Sequence, residues 1–325
     1  MLKETITNLL EVSGSLTIAR YITRKKPRIL MYHRVIENTQ LPGISPGLFE
    51  AQLRYIKKRF DIVSLNELLN NIDEKQKPYQ LAITFDDGHR DFYTNAWPTL
   101  RKLDIPATIF VTTGFIDKKN WLWPDLLRSI VLAAKPDTYS HDGIGSFEIT
   151  QSNPLIIWNH VADHCLTLSH EKREQFIISL AKKLGVPISS EPQDPYSPIS
   201  WAELREMHAQ GLDIGSHSVT HPILSDLDNE ELLYELSYSR QRIREEIGID
   251  PRGICYPNGM AKDTSPNVEN HAQQFYQYGL VAYPATVSAN HIMHLGRFAA
   301  SSNMHRFKLL INGFSTHINQ TGEYQ

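Results

Sequence analysis

Short apolar runs alternate along this chain with longer stretches in which hydrophobic positions recur every three or four residues. The short runs predict strands at 28–35 (RILMYHRV), 61–64, 81–85 within LAITFDDG, 105–111 (IPATIFV), 211–216, 252–256, 278–283 and 295–298. The longer stretches predict helices. Phe49, Leu53 and Ile56 line one side of 45–59, and a short helix covers 65–72. Trp97, Leu100 and Leu103 face inward along 89–103, with Asp91 and Asn95 on the polar side. Ser200 suits the N-cap of a helix over 201–210. Leu232, Leu233, Leu236, Ile243 and Ile247 stripe a helix over 229–247. Strands that alternate with helices predict an α/β architecture with a parallel sheet.

Residues 121–199 break that rhythm. WLWPDLLRSIVLAA reads as helix, and the polar 141–154 as a hairpin or loop. Helical periodicity returns over 159–184, and the Pro- and Ser-rich 189–198 reads as a linker. This predicts a mostly helical insertion on one side of the main domain. At the N-terminus, Leu2, Ile6, Leu9 and Leu10 share one helical face. That face either packs on the domain or, with Arg24, Lys25, Lys26 and Arg28 beside it, contacts anionic lipid. Glu4 and Glu11 interrupt the apolar part, and the basic cluster follows it, so no secretory signal is expected. No run approaches the roughly 18 apolar residues of a membrane span. The expected location is cytoplasmic, peripheral to the inner membrane face at most.

Composition narrows this little. The chain has 325 residues, 41% hydrophobic and 21% charged, with a net charge of −3. It is long enough for one large α/β domain or a barrel with an insertion. The near-neutral balance leaves no electrostatic footprint for nucleic acid. Two cysteines, Cys165 and Cys255, make no disulfide framework and fit a reducing compartment.

In barrels the chemistry sits just past the C-terminal ends of strands. Here those positions hold His33, Asp86 and Asp87, Thr112 and Thr113, His217, Pro257 and Asn258, with Arg297 near the last strand. Asp86 and Asp87 end an apolar run. Adjacent carboxylates repel and raise each other's pKa unless a cation or a shared proton holds them. An ordinary Asp-Gly turn is the other reading of the same residues. His217 and His221, in GSHSVTH, are spaced i, i+4 and face one point if a helical turn follows the strand. Two histidines and a carboxylate, with positions left for water, compose a catalytic site for zinc or another divalent cation. One aspartate completes such a site. The other serves as general base toward water that the metal acidifies to a pKa of about 7. Hydrolysis of an ester or amide is expected, with an oxyanion donor among the backbone N–H groups at 257–259.

TFDDG (84–88), His217-Ser-Val-Thr-His221 and YPNG (256–259) together resemble the NodB-like polysaccharide deacetylases, carbohydrate esterase family four. ILMYHRV, PATIFV, SWAEL (200–204) and LGR (295–297) resemble its bacterial branch tied to exopolysaccharide synthesis. The resemblance runs from about 27 to 301 and is weakest across the insertion. It implies a distorted (β/α)7-type barrel over 27–301, an N-terminal helical segment at 1–26 and a tail at 302–325. It also implies a metal-dependent N-deacetylase in which Asp86 is the base and Asp87, His217 and His221 hold the metal. Zinc is the default, and this ligand set also accepts nickel, cobalt or iron.

The arginine that orients the base in the family has Cys255 in its place here, so Arg297 is the expected substitute and Arg252 the second choice. The family's general acid is a histidine, for which His294 and His33 are both candidates. Tyr256, Asn258 and Gly259 are expected near the substrate and its oxyanion. The expected substrate is an N-acetylated amino-sugar glycan, or a lipid- or nucleotide-linked precursor. O-acetyl hydrolysis and a catalytically idle glycan-binding barrel are the alternatives.

Overall fold

A computed structural model of the chain describes residues 13–38, 40–72 and 77–314. Its centre is a parallel sheet of short strands: β1 (Arg28–Tyr32), β2 (Asp61–Ile62), β3 (Gln80–Phe85), β4 (Thr108–Val111), β7 (Asp213–Ser216), β8 (Gly253–Cys255), β9 (Tyr278–Leu280) and β10 (Phe298–Ala299), with β5 (Asp137–His141) and β6 (Gly145–Ile149) lying in the insertion. The order is β10-β1-β3-β4-β7-β8-β9, and β2 pairs with β3 outside that path. Helices between successive strands make this a distorted (β/α)7 barrel of NodB type. Every residue of β1 and β3 is buried, as expected of strands covered on both faces.

The last strand closes the ring. Leu295 bridges to Leu280 of β9, and three residues later Phe298 pairs with Leu30 of β1. Arg297 lies between those contacts, its N–H donating to the Tyr283 carbonyl at 3.0 Å. Because the pairings of this central sheet are all parallel, the C-terminal ends of its strands open on one face of the barrel.

The helices follow the periodicity with local departures. Ser45 and Ser64 cap their helices, and Ser200 with Glu203 forms a capping box before Trp201–Ala209. The helix expected over 89–103 starts with a π-turn at Phe92–Ala96 and becomes α-helical at Trp97–Lys102. Pro98 has no N–H to offer the Thr94 carbonyl, so the regular ladder cannot run through this point. The helix Met304–Ile311, within the expected tail, buries Phe307 and Ile311 in the main core. The face of Leu2, Ile6, Leu9 and Leu10 lies outside the described residues. No helix among the described residues is long and apolar enough to cross a membrane.

The insertion has its own core around Leu127, Val161, Ile177 and Leu180. It contains helices Trp123–Ala133, Pro154–Cys165 and His170–Leu184 and the antiparallel hairpin of β5 (Asp137–His141) and β6 (Gly145–Ile149). The single helical stretch expected over 159–184 is thus two helices. The segment expected to be a linker is a strap held to the barrel. Ile199 N–H donates to the Gly88 carbonyl, Arg90 N–H to the Ser197 carbonyl, and Arg34 to the Pro195 carbonyl. Its prolines suit an extended strap as well as a loose linker, so composition alone did not separate the two.

Candidate active site

β3 delivers Asp86 and Asp87 at the open face of the barrel. Asp86 N–H donates to the Tyr32 carbonyl, continuing the strand pairing by one residue. The chain then turns sharply. Asp87 has φ +74 and Gly88 φ +94, and Gly88 N–H returns to the Asp86 carbonyl at 2.9 Å. The φ of +94 at position 88 is one that side-chain-bearing residues rarely adopt, which accounts for glycine there. The turn throws the two carboxylates into different surroundings.

Asp86 is 2% exposed and faces Arg297. The guanidinium grips it with two parallel bonds, Nη1 to Oδ1 and Nη2 to Oδ2, both 2.7 Å. Arg297 is itself fixed by donating from Nε to the Val281 carbonyl and from Nη1 to Thr84 Oγ1. Burial pushes the Asp86 carboxyl up, and the charge and hydrogen bonds of Arg297 outweigh it, leaving the carboxyl below its ordinary range. Cys255 completes the pocket, its Sγ 2.8 Å from Arg297 Nη2 and 3.4 Å from Asp86 Oδ2. Arg252 is engaged with Gln277 and Asn70 at the other end of β8.

Asp87 faces the histidines. Its Oδ1 lies 3.4 Å from His217 Nε2 and 3.5 Å from His221 Nε2. All three residues are buried, and their ligand atoms lie within 4.8 Å of one another. The imidazoles converge without the helical turn expected from their spacing. Ser218 and His221 both adopt left-handed backbone, at φ 66 and 61. Ser218 Oγ accepts from His221 N–H, while Glu235 accepts from Val219 N–H, Thr220 N–H and the Thr220 hydroxyl. Glu235 is buried on the helix Asn229–Ile247, and the sequence pattern offered no signal for it.

The donor set fits a divalent cation. His217 Nδ1–H donates to the Cys255 carbonyl at 2.7 Å, which leaves Nε2, on the side of Asp87, as the nitrogen that would ligate a cation once it gives up its proton. Burial pushes the Asp87 carboxyl up, but hydrogen bonds from His217 and His221 hold it well below the carboxylate range. A second cluster of ligand atoms, Asp86, His217 and Cys255, shares His217. The Arg297 guanidinium against both Asp86 and Cys255 makes that cluster hostile to a cation.

Of the other expected residues, His33 is at the site and His294 is held elsewhere. His33 Nε2 lies 3.9 Å from Asp86 Oδ2, with the side chain 30% exposed. Burial pushes its imidazole below the ordinary range, against the pull of Asp87 and Asp86. His294 has Nδ1 2.6 Å from Glu269 and Nε2 2.6 Å from the Tyr283 hydroxyl, so neither ring nitrogen meets the aspartates. The Tyr256 hydroxyl donates to the Met293 carbonyl in a packed cluster. Gly259 N–H is taken by the Pro257 carbonyl at 2.6 Å. Asn258 Nδ2 is buried with no hydrogen-bond partner.

A family model described as polysaccharide deacetylase matches residues 73–276. The YxkH protein of Bacillus subtilis (strain 168) is 29% identical over 116 residues, 34% of this chain and 41% of that protein. The poly-beta-1,6-N-acetyl-D-glucosamine N-deacetylase of Staphylococcus aureus (strain MSSA476) is 34% identical over 81 residues, 24% of this chain and 28% of that protein. This chain therefore spans less than half the length of the curated relatives it matches. Among solved structures, the Streptococcus pyogenes deacetylase PplD shares the fold with a TM-score of 0.59 at 19% identity, over 89% of this chain and 99% of that one. IcaB from Ammonifex degensii does so with a TM-score of 0.58 at 17% identity, over 89% and 97%. The chain belongs to the polysaccharide deacetylase family, the NodB-like group that its motifs resemble.

Proposed function

We propose that this protein is a metal-dependent deacetylase that hydrolyses N-acetyl groups of an amino-sugar glycan. The observation that carries this reading is the division of labour between adjacent aspartates, Asp86 on Arg297 and Asp87 on His217 and His221. Asp87, His217 and His221 would hold the cation. When bound, it supplies Lewis acidity toward water and the acetyl carbonyl.

The chain's own groups do the rest. Asp86, ionised and oriented by Arg297, takes a proton from the attacking water. His33, beside Asp86 and made more acidic by burial, gives a proton to the leaving amine. Asn258 Nδ2 offers an uncommitted donor to the developing oxyanion. Zinc is the first cation to test, with nickel, cobalt and iron next.

The Staphylococcus aureus relative makes poly-β-1,6-N-acetylglucosamine the first substrate to test. Acetate release from it and from related N-acetylated oligosaccharides, dependent on added zinc or cobalt and reversed by a chelator, is the expected result. Release from O-acetylated analogues alone would reassign the site to ester hydrolysis. No release from either would overturn the reading.

Peripheral contact with anionic lipid is part of the same proposal. The helix Ser15–Ile22 exposes Ile18, Tyr21 and Ile22 on one side, beside Arg24, Lys25 and Lys26. Cosedimentation with phosphatidylglycerol vesicles that is lost in an Ile18→Ser/Ile22→Ser variant is expected. Equal binding by that variant would remove this part.

A further inference from the structure

Both ends of the insertion grip the turn that carries Asp87. On the entry side, Asp125 in the helix Trp123–Ala133 lies 2.6 Å through Oδ2 from His89 Nε2. On the return side, the strap at 197–199 forms an antiparallel bridge to His89, with bonds of 2.9 Å to the Gly88 carbonyl and from the Arg90 N–H.

His89 is 3% exposed and wedged edge-on against Phe115, with ring centroids 5.3 Å apart. Its Nδ1 has no hydrogen-bond partner and stands 3.7 Å from Asp87 Oδ2. The other oxygen of that carboxylate, Oδ1, is the one that faces His217 and His221.

We propose that Asp125 and His89 are a positioning pair for Asp87, so that the insertion helps build the metal centre. The pair rests on the metal reading given above. A carboxylate only accepts hydrogen bonds, so the His89 Nε2–H points at Asp125, and this bond with Phe115 fixes the ring plane. The fixed ring backs Asp87 on its Oδ2 side. A gap of 3.7 Å leaves no room for a bridging water, so the contact is direct packing. Such backing matters because Asp87 holds a left-handed backbone conformation that a non-glycine residue keeps only when its surroundings impose it. Groups behind metal ligands typically change metal affinity by about 10–100-fold when removed.

The test is cobalt(II) titration of the full chain, followed by equilibrium dialysis and by the visible d–d bands of the ion. Asp125→Ala is expected to bind cobalt about 10–100-fold more weakly with an altered band shape, while far-UV circular dichroism stays unchanged. Asp125→Asn keeps a carbonyl that accepts from Nε2–H and is expected to stay within a few-fold of wild type. His89→Gln gives an independent break in the same path. The double variant Asp125→Ala/His89→Gln is expected to bind no more weakly than the worse single variant, because the two act through each other. Wild-type affinity and spectrum in both single variants, or losses that add, would overturn the pair while leaving the metal reading in place. A wild-type protein that takes up no cobalt would overturn the metal reading and this inference with it.

Discussion

Arg297 holds Asp86 by both oxygens, Nη1 to Oδ1 and Nη2 to Oδ2 at 2.7 Å each, across 211 residues of sequence. Neither side chain is more than 2% exposed. The two parallel bonds select one rotamer of Asp86 and keep it ionised in a buried place, where desolvation alone would favour the neutral acid.

Asp86→Asn keeps the size of the side chain and removes its basicity. Turnover is expected to fall by about 10²–10⁴-fold, while cobalt or zinc binds stoichiometrically. Steady-state acetate release together with metal analysis checks this. Full activity in the variant would take the base role away from Asp86.

Arg297→Met is expected to move the acidic limb of the pH–rate profile upward. With Arg297 present, the Asp86 pKa lies below its ordinary value of about 3.9. Without it, burial, the largest influence, is opposed only by the weaker pull of His217 and His33, so that pKa rises and the base is protonated at a higher pH. Measuring kcat/KM against pH for both proteins decides the matter. An unmoved limb would separate Arg297 from the base.

His217→Ala and His221→Ala each remove one of two imidazoles that converge on Asp87 Oδ1. Each variant is expected to lose stoichiometric metal and the activity that depends on it. Metal also competes with a proton here: burial lowers the His217 pKa, but Cys255, Asp87 and Asp86 raise it well above the ordinary value overall. Proton release on metal binding, and affinity that rises with pH, are therefore expected in calorimetry.

Glu235→Ala leaves the N–H groups of Val219 and Thr220 without their acceptor. Each buried donor left unsatisfied costs about 1–3 kcal/mol. Chemical unfolding should register that loss, and the freed His221 loop should bind metal more weakly. Wild-type stability would show that water replaces the carboxylate without penalty.

Much of this molecule can be read from local pattern. Strand and helix positions follow from burial on one face or two, and that burial leaves its period in the residue order. The carboxylate pair after LAITF and the histidine pair after GLDIGS are legible for the same reason, since a strand of a parallel barrel delivers whatever follows it to one face. Arg297 was legible as a position near the last strand and ranked ahead of Arg252. Barrel closure supplies the physical reason, because Leu295 and Phe298 pair with opposite edges of the sheet and carry Arg297 to Asp86.

The remainder depends on contacts between distant segments. The residues 159–184 carry helical periodicity throughout, yet the chain breaks between two helices that fold back into one core. The strap at 189–198 has the composition of a linker, and its fixed place comes from hydrogen bonds to Gly88, Arg90 and Arg34. His33 and His294 were equal as symbols. Tertiary structure put one beside Asp86 and tied the other between Glu269 and Tyr283. Asp125 and Glu235 carry no motif, because a group that supports a ligand is defined by what it touches. Periodicity and strand-end position determined a parallel α/β frame and pointed to the Asp and His pairs, and the family resemblance implied the barrel. Long-range packing decided which arginine and which histidine join them, and what stands behind them, because those choices are made by side chains that meet only when the ring closes.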